Sequence, residues 1–348
     1  MSGTSLDGLD IAYCHFELIK NKWKYQIIKG HTIPYSIEWQ NRLKSVETGS
    51  ALELVQTDHD YGHLLGKLTK SFVDEHNIHP DFIASHGHTV FHQPGNRITL
   101  QIGNGSAIAA ETGLPVICDF RSMDVALGGQ GAPLVPIGDR LLFPEYDYCL
   151  NLGGIANISF EKEGRRIAFD ICPANIVLNS LANHYHRSFD KNGDIARRGE
   201  LNLDLLRKVN DLDYYHVNPP KSLGKEWVLS EFFPLLEQSG IPIEDKLRTT
   251  SEHIAYQISR IVQQDPARKM LVTGGGAFNL FLMEKIRENC QPEIIIPDHD
   301  TINFKEALIF AFLGILRWRN EVNCLKSCTG ASQDNTGGAI YISARNYS

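Results

Sequence analysis

The sequence predicts an α/β fold with two domains. Strand-like apolar runs alternate with segments in which apolar residues recur at helical spacing, as they do from Leu54 to Phe72. Glycine-rich turns follow strand-like runs in both halves of the chain. A length of 348 residues exceeds what one small core organises and is typical of two packed domains. We therefore expect two related α/β domains, at residues 1–147 and 148–348, and the last helix and tail could pack back on the first domain.

The composition argues against several classes of partner. Hydrophobic residues make up 42% and charged residues 22%, which is ordinary for a soluble globular protein. The formal net charge is -7 and no basic block occurs, which argues against nucleic acid and against an anionic membrane surface. We expect no signal peptide, and the longest apolar run, Leu308–Leu316, is too short to cross a bilayer. Seven cysteines spread along the chain are typical of reduced thiols, so we expect a cytoplasmic protein.

The chain opens on a turn that is suited to the phosphates of a nucleotide. Residues 1–10 read MSGTSLDGLD and lead directly into a strand-like run. Glycine lets the backbone approach a phosphate closely, and the hydroxyls of Thr4 and Ser5 add hydrogen-bond donors. A carboxylate would repel a bare anion, but Mg²⁺ is commonly held by one or two carboxylates together with phosphate oxygens. We therefore assign Asp7 to a Mg²⁺ ion that accompanies the phosphates, bound directly or through water.

Two further glycine-rich turns indicate the same kind of ligand. Gly153 and Gly154 lie between two strand-like runs, and Gly274–Gly276 follow the strand-like run Met270–Thr273. Any one of these turns could simply be an ordinary tight turn. Because three such turns occur in one chain, we expect one nucleotide to be held from several sides.

The second half of the chain contains signals for several strands and helices. We expect a hairpin around Gly153-Gly154, a third strand at residues 166–170 and a helix that starts at Pro173. Thr249 and Glu252 match a capping box, which predicts that a helix begins there.

Two other segments carry polar residues that could line a cleft. Residues 119–133 are rich in glycine and charge, so we place them on a loop or cleft wall near the domain boundary. His86, His88 and His92 could form a metal site, but no cysteine or acidic residue is near them in sequence, and polar cleft lining is the better interpretation. The last long helix is expected to begin near Asn303.

Several motifs taken together are far more specific than any one turn. They are MSGTSLDGLD (1–10), SHGHTVxHxP (85–94), FRxxDVAxGGQGAPLVP (120–136), LNLGGIAN (150–157), PKSxGKE (220–226), GGGAxN (274–279), EAxxFA (306–311) and NxxxxxTGA (323–331). In this combination the chain resembles the anhydro-N-acetylmuramic acid kinases, which recycle bacterial cell wall. The likeness spans essentially the whole chain.

The resemblance implies a fold and a reaction. The fold would be two actin-like (ribonuclease H-like) α/β domains that close over ATP. The reaction cleaves the 1,6-anhydro bond of an amino sugar: water attacks the anomeric carbon while O6 takes the γ-phosphoryl group. Such a reaction needs a general base for the water and a clamp for the nucleotide phosphates, with ATP and Mg²⁺ as cofactors. Family precedent also implies a homodimer.

Site residues follow from the turns and the resemblance together. Asp170 would be the base, because the family places its base in the matching motif; a helix N-cap is the alternative role. The nucleotide would be bound by Gly3, Thr4, Ser5, Leu6, Asp7, Gly8, Leu9, Asp10, Gly153, Gly154, Asn157, Gly274, Gly275 and Gly276. The sugar would be bound by Arg121, Asp124, His86, His88, Asn175 and Glu306.

Two departures from the family pattern leave alternatives open. Where the family favours Thr and two glycines after the base, this chain has Ile171, Cys172 and Ala174, and we expect the bulkier side chains to alter the loop beside Asp170. Family members also carry a strand before the opening turn, so either the true start lies upstream or that strand is lost. The alternatives to the kinase are a nucleotide- or muropeptide-binding sensor with little catalysis, and a kinase for another amino sugar.

Overall fold

The computed structural model describes residues 1–2, 6 and 8–343. The chain divides into two compact units: unit 1 contains Met1–Leu142 and the chain from Phe304 onward, and unit 2 contains Phe143–Asn303. The sequence predicted a boundary after residue 147 and allowed the last helix and tail to pack back on the first domain; the structure divides the chain after Leu142 and returns it to unit 1 after Asn303. Strands and helices occur in both units, so the expected α/β class is confirmed.

Unit 1 begins with a long antiparallel hairpin. Its turn residues Lys20 and Asn21 have φ values of +49° and +61°, as the tight turns of twisted hairpins require. The elements up to the first boundary are β1 (Gly8–Ile19), β2 (Lys22–Pro34), α1 (Ile37–Ser45), α2 (Ala51–His76), β3 (Ile83–Ala84), β4 (His88–Gln93), β5 (Ile98–Ile102), α3 (Gly105–Thr112), β6 (Val116–Cys118), α4 (Ser122–Ala126) and α5 (Val135–Leu142).

The helix predicted from Leu54 to Phe72 is confirmed as part of α2. It begins with a capping box, in which the Ser50 hydroxyl accepts a hydrogen bond from the Glu53 nitrogen at 3.2 Å and the Ser50 nitrogen donates to the Glu53 carboxylate at 2.6 Å. It ends at His76, and the capping residue Asn77 has a left-handed backbone. Its buried face, with Tyr61 and Leu65, belongs to the same core as Leu9 of β1.

Unit 2 is built on one mixed sheet. Its elements are β7 (Tyr148–Leu152), β8 (Ile155–Lys162), β9 (Arg165–Pro173), α6 (Asn175–Ala182), α7 (Leu203–Asn210), α8 (Lys225–Trp227), α9 (Phe233–Gln238), α10 (Ile243–Ser259), β10 (Lys269–Thr273), α11 (Leu280–Asn289) and β11 (Glu293–Ile295). The strand order is β11-β10-β7-β8-β9; β11, β10 and β7 are parallel, and β7, β8 and β9 are antiparallel. The hairpin expected around Gly153-Gly154 is therefore confirmed.

The last elements of the chain follow as α12 (His299–Trp318), α13 (Lys326–Thr329) and β12 (Ala339–Tyr341). In unit 1, β12 pairs with β6, which gives a small sheet of order β12-β6-β3 beside the hairpins β1-β2 and β4-β5. Over the described residues, no helix is both long enough and apolar enough to span a membrane.

Three predicted helix starts are wrong for identifiable reasons. The helix expected at Pro173 begins at Asn175, because Pro173 is the last residue of β9. Thr249 is not a cap but a buried residue inside α10, where its hydroxyl accepts a hydrogen bond from the Asn202 nitrogen at 3.1 Å. The last long helix begins at His299 rather than near Asn303, because the Asp298 carboxylate accepts hydrogen bonds from the nitrogen and the hydroxyl of Thr301 and so provides the cap earlier.

Candidate active site

The second and third glycine turns lie against each other in unit 2. β7 and β10 are parallel neighbours, with Asn151 in register with Thr273. A Cβ on Gly274 would lie 2.5 Å from Oδ1 of Asn151, and a Cβ on Gly276 would lie 2.7 Å from Cβ of Leu152. Gly274 also has a φ of +82°, a conformation that L side chains rarely adopt. Glycine is therefore required at these positions, because the turn after β10 packs directly on the end of β7.

Asn175 joins both turns to the helix that follows β9. Its side-chain nitrogen donates to the Leu152 carbonyl oxygen at 2.9 Å and would lie 3.5 Å from a Cβ on Gly276. Backbone nitrogens at the start of α6 donate to the carbonyl oxygens of Gly153 and Gly154 over 2.9, 3.1 and 3.0 Å. The N-terminal donors of α6 are thus satisfied by the hairpin turn, and Asn175 holds the turns in a fixed arrangement.

Asp170 lies in β9, in register with Asn157 of β8. Its carboxyl group is half-buried, and its Oδ2 accepts a hydrogen bond from the Leu223 nitrogen at 2.9 Å. Burial raises the pKa of Asp170, and the Leu223 N–H opposes this with a smaller effect. Within the described part of the chain, no donor is hydrogen-bonded to Oδ1. Asp170 is therefore a carboxylate with one anchored oxygen, one uncommitted oxygen and a pKa shifted toward the range that suits a general base.

The segment that holds Asp170 was missed by the sequence reasoning. The Tyr214 hydroxyl donates to the Asp170 carbonyl oxygen at 2.6 Å, and the Asp170 nitrogen donates to the Lys221 carbonyl oxygen at 3.3 Å. The Lys221 ammonium donates to the Tyr214 carbonyl oxygen at 3.0 Å and lies 4.4 Å from the centre of the Tyr214 ring. The PKSxGKE motif was the available signal, but nothing in the sequence indicated that it contacts the strand of the base.

The residues after Asp170 continue β9 as far as Pro173 rather than forming a loop, and Ala174 caps the start of α6. Ile171, Cys172 and Ala174 are 1%, 0% and 0% exposed and belong to the apolar core of unit 2. The expectation that their bulk alters a loop beside the base is wrong, because their side chains are absorbed by the core.

In unit 1 the structure brings Arg121 and His86 together. The Nε and one terminal nitrogen of Arg121 donate to Nε2 of His86 at 3.1 and 2.8 Å, and the other terminal nitrogen donates to the Gly131 carbonyl oxygen at 2.7 Å. Because Nε2 of His86 accepts, Nδ1 carries the proton and donates to the Gly87 carbonyl oxygen at 2.9 Å. Burial and the charge of Arg121 lower the pKa of His86 to about 3. His86 is therefore a neutral imidazole that orients Arg121.

Asp124 is enclosed by protein donors. It is 0% exposed; its Oδ2 accepts from the Gly131 nitrogen at 2.8 Å. Its Oδ1 accepts from Cys324, Thr329 and Asn335 at 3.0, 2.8 and 2.9 Å. Asp124 therefore fastens the segment 324–335 to the loop that carries Arg121.

Glu306 and His88 complete the predicted sugar residues of unit 1. Glu306 lies on α12, where desolvation by the surrounding protein raises the pKa of its carboxyl group and the charge of Arg121 opposes that shift. His88 is buried in β4, burial lowers its pKa, and its Nδ1 has no hydrogen-bond partner among the described residues. Glu306 and Arg121 thus interact electrostatically, and Glu306 lies within α12, one helical turn before Phe310, whose ring packs against His86.

The opening turn is described in part. Leu6 and Leu9 are 7% and 5% exposed, so their side chains belong to the core and only their backbone could contact a ligand. A Cβ on Gly8 would lie 2.6 Å from the Ile33 carbonyl oxygen, so only glycine fits there. The predicted nucleotide residues Gly3, Thr4, Ser5 and Asp7 lie outside the described residues.

Asp10 is held by the neighbouring strand. Its Oδ1 accepts a hydrogen bond from the Thr32 hydroxyl at 2.5 Å. The described residues contain no group of three or more histidine, cysteine or acidic side chains arranged to hold a metal ion.

Tight glycine turns at the ends of neighbouring strands, beside a half-buried carboxylate, are features of an α/β phosphotransferase. The family model for anhydro-N-acetylmuramic acid kinases matches residues 1–343. An anhydro-N-acetylmuramic acid kinase of Vibrio vulnificus is 34% identical over 366 residues, covering 99% of this chain and 97% of the relative. The kinase of the same name from Bacillus cereus is 33% identical, covering 98% of this chain and 97% of the relative. The chain belongs to the anhydro-N-acetylmuramic acid kinase family.

Proposed function

We propose that this chain uses ATP to convert 1,6-anhydro-N-acetylmuramic acid to N-acetylmuramic acid 6-phosphate in the recycling of peptidoglycan. In one event, water adds to the anomeric carbon, the bond from that carbon to O6 breaks, and O6 takes the γ-phosphoryl group of ATP. ADP leaves, and the proton lost by the water goes to a general base. Family membership supports the reaction, and the geometry of Asp170 is the observation that carries the mechanism.

Asp170 is the base. The Leu223 nitrogen anchors Oδ2, which leaves Oδ1 to accept the proton of the attacking water. The raised pKa of Asp170 makes the carboxylate a stronger base than an exposed aspartate. The contacts of Asp170 with Tyr214 and Lys221 fix the backbone of the base, so that the water is held in one position.

The glycine turns bind the nucleotide. Gly153, Gly154 and Gly274–Gly276 bring backbone close to the phosphates and the adenosine, with Asn157 beside the second turn, and the opening turn Gly3–Asp10 wraps the phosphates. Mg²⁺ would be held by Asp7 and the phosphate oxygens, and it would neutralise charge on the transferred phosphoryl group.

The sugar is bound by Arg121, with Glu306 and Asn175 as further contacts. Arg121 carries five N–H donors, and its bonds to His86 and Gly131 fix its plane while leaving others for a carboxylate or hydroxyl group of the sugar. His88 would line the same region through its unpartnered Nδ1. Because its carboxylate is fully engaged, Asp124 acts as a positioning residue and not as a direct contact.

The packing of Ile171 and Cys172 in the core favours the enzyme over a sensor, because these substitutions do not crowd the base.

We also propose that the protein is cytoplasmic, as an odd number of dispersed cysteines suits a reducing compartment, and that it is a homodimer like its family.

The test is ADP release by the purified chain with Mg-ATP and three alternative acceptors. Turnover with 1,6-anhydro-N-acetylmuramic acid, and none with N-acetylglucosamine or with 1,6-anhydro-N-acetylglucosamine, supports the proposal. Turnover with either of the other sugars at a similar rate points to a different amino sugar. Binding of the anhydro sugar without ADP release points to a sensor.

A further inference from the structure

Three polar residues form a row across the sheet of unit 2. Asn151 of β7 is in register with Asn157 of β8, and Asn157 is in register with Asp170 of β9. Residues that lie directly opposite each other on neighbouring strands point to the same face, with their Cβ atoms about 4.5–5.5 Å apart. The side chains of Asn157 and Asp170 are therefore neighbours.

The apolar core shows which face of the sheet carries this row. The residues on either side of Asn157 and of Asp170 are buried in the core of unit 2; they are Ala156, Ile158, Phe169 and Ile171. Successive side chains of a strand point to opposite faces. Asn157 and Asp170, which are both half-buried, therefore lie on the face of the sheet that is turned away from this core.

The two asparagines of the row have different surroundings. The Asn151 amide lies against the glycine turns, because a Cβ on Gly274 would lie 2.5 Å from its Oδ1 and a Cβ on Gly153 would lie 3.2 Å from its Nδ2. The Asn157 side chain makes no hydrogen bond to any of the residues that the structure describes. Asn157 is therefore the uncommitted amide next to the uncommitted Oδ1 of Asp170.

We propose that Asn157 is a second catalytic residue, which holds the attacking water together with Asp170. This inference rests on the proposed function, because it concerns the same water. Water has two O–H groups, and Oδ1 of Asp170 and Oδ1 of Asn157 each accept one of them, at the usual O···O distance of about 2.7–2.8 Å. With both O–H groups held, a lone pair of the water oxygen is left to attack the anomeric carbon.

The two protons of the water have different fates in this step. The water oxygen bonds to the anomeric carbon while the bond from that carbon to O6 breaks and O6 takes the γ-phosphoryl group. One proton passes to the Asp170 carboxylate. The other stays on the new anomeric hydroxyl group, still hydrogen-bonded to Asn157. Asn157 thus orients the nucleophile and neither gains nor loses a proton.

Methanol distinguishes this role from a structural one. Its single O–H group can be held by Asp170, but its methyl group would lie where Asn157 accepts the second O–H group of water. The Asn157 oxygen would then have no hydrogen-bond donor, which disfavours methanol as the nucleophile. Without the Asn157 amide, this preference for water over methanol should weaken.

The experiment supplies Mg-ATP and 1,6-anhydro-N-acetylmuramic acid in a fixed mixture of water and methanol. Mass spectrometry measures the ratio of the methyl glycoside 6-phosphate to the free sugar 6-phosphate, which does not depend on how much of a variant is folded. In Asn157→Ala this ratio should rise by about threefold to tenfold, and kcat should fall by at least about tenfold. The KM for ATP should stay within about twofold of the parent.

Asn151→Ala is the matched control, because it removes the amide that lies against the glycine turns. It should raise the KM for ATP and leave the product ratio unchanged. An unchanged ratio in Asn157→Ala, or an equal rise in both variants, would overturn the proposal. An Asn157→Ala chain that differs from the parent only in its KM for ATP would instead assign Asn157 to the nucleotide. A parent chain that releases no ADP would overturn the proposed function itself.

Discussion

The Leu223 backbone nitrogen donates a hydrogen bond to one carboxyl oxygen of Asp170 at 2.9 Å, although 53 residues separate the two in sequence. This bond stabilises the ionised carboxylate, while burial disfavours it, and burial has the larger effect on the pKa of Asp170. The segment from Tyr214 to Leu223 therefore decides both where the Asp170 carboxyl group lies and how readily it loses its proton.

The acid limb of the pH–rate profile should show how burial and the Leu223 hydrogen bond together set the pKa of Asp170. A general base must be ionised, so kcat/KM should fall as the pH drops through the raised pKa of Asp170. Leu223→Pro removes the N–H donor, which should raise the pKa further and move the limb to higher pH. Leu223→Ala keeps the N–H and is the matched control. Coincident limbs in the proline and alanine variants would show that this hydrogen bond does not set the pKa of the base.

Asp170 should also lower the free energy of unfolding at neutral pH. The pKa of Asp170 in the folded chain is above its ordinary value. At pH values between these two pKa values, the folded chain therefore binds more protons than the unfolded chain. The free energy of unfolding should therefore fall as the pH rises through that window, and Asp170→Asn should abolish this contribution. Urea denaturation at pH 4 and pH 8 should show the variant more stable than the parent chain at pH 8, by a margin that shrinks at pH 4. Asp213→Asn, at an exposed position, is the matched control.

His86 should act on sugar affinity through Arg121. His86→Asn keeps a donor for the Gly87 carbonyl group but removes the acceptor for Arg121, whereas His86→Gln can still offer an acceptor to the guanidinium. Loss of a hydrogen bond to a charged group costs about 1.5–3 kcal/mol, which is roughly a 10- to 100-fold rise in KM for the sugar. We expect that rise in His86→Asn, partial rescue in His86→Gln, and an unchanged KM for ATP in both. An equal rise in the KM for the sugar in the two variants, or an effect confined to kcat, would contradict the role of His86 in orienting Arg121.

Asp124 should contribute mainly to the stability of the folded chain. Its carboxylate accepts hydrogen bonds from four protein donors in a fully buried position, so Asp124→Ala should lower the free energy of unfolding by about 3 kcal/mol. Asp119→Asn, at an exposed site just before α4, should change the free energy of unfolding by less than about 0.5 kcal/mol. Thermal or urea denaturation measures both. An Asp124→Ala chain as stable as its parent, with a large rise in KM for the sugar, would instead restore Asp124 as a direct contact.

The sequence alone predicted the structural role of a residue where that role depends on its neighbours along the chain. The glycines at 274 and 276 were recognised as a turn, and the hairpin at Gly153-Gly154 and the helix around Leu54–Phe72 followed from short-range patterns. The role of Leu223 could not be predicted, because it acts through a backbone nitrogen that any residue except proline would supply.

Two errors have the same physical origin. The pair Thr249 and Glu252 has the letters of a capping box, but a helix that has already begun at Ile243 overrides them. Ile171 and Cys172 were read as loop residues because the family has glycines there, yet apolar side chains can extend a strand when a core lies beneath it. In both places tertiary packing decided between local alternatives.

The most direct test of Asp170 as the proposed base of a sugar kinase is ADP release with Mg-ATP and 1,6-anhydro-N-acetylmuramic acid by the parent chain and by Asp170→Asn. Loss of a general base typically costs about 10²–10⁴-fold in rate, so kcat should fall by that factor. Binding of ATP and of the sugar, measured by calorimetry, should stay within about threefold of the parent. An Asp170→Asn chain that turns over at a rate close to that of the parent would contradict the account.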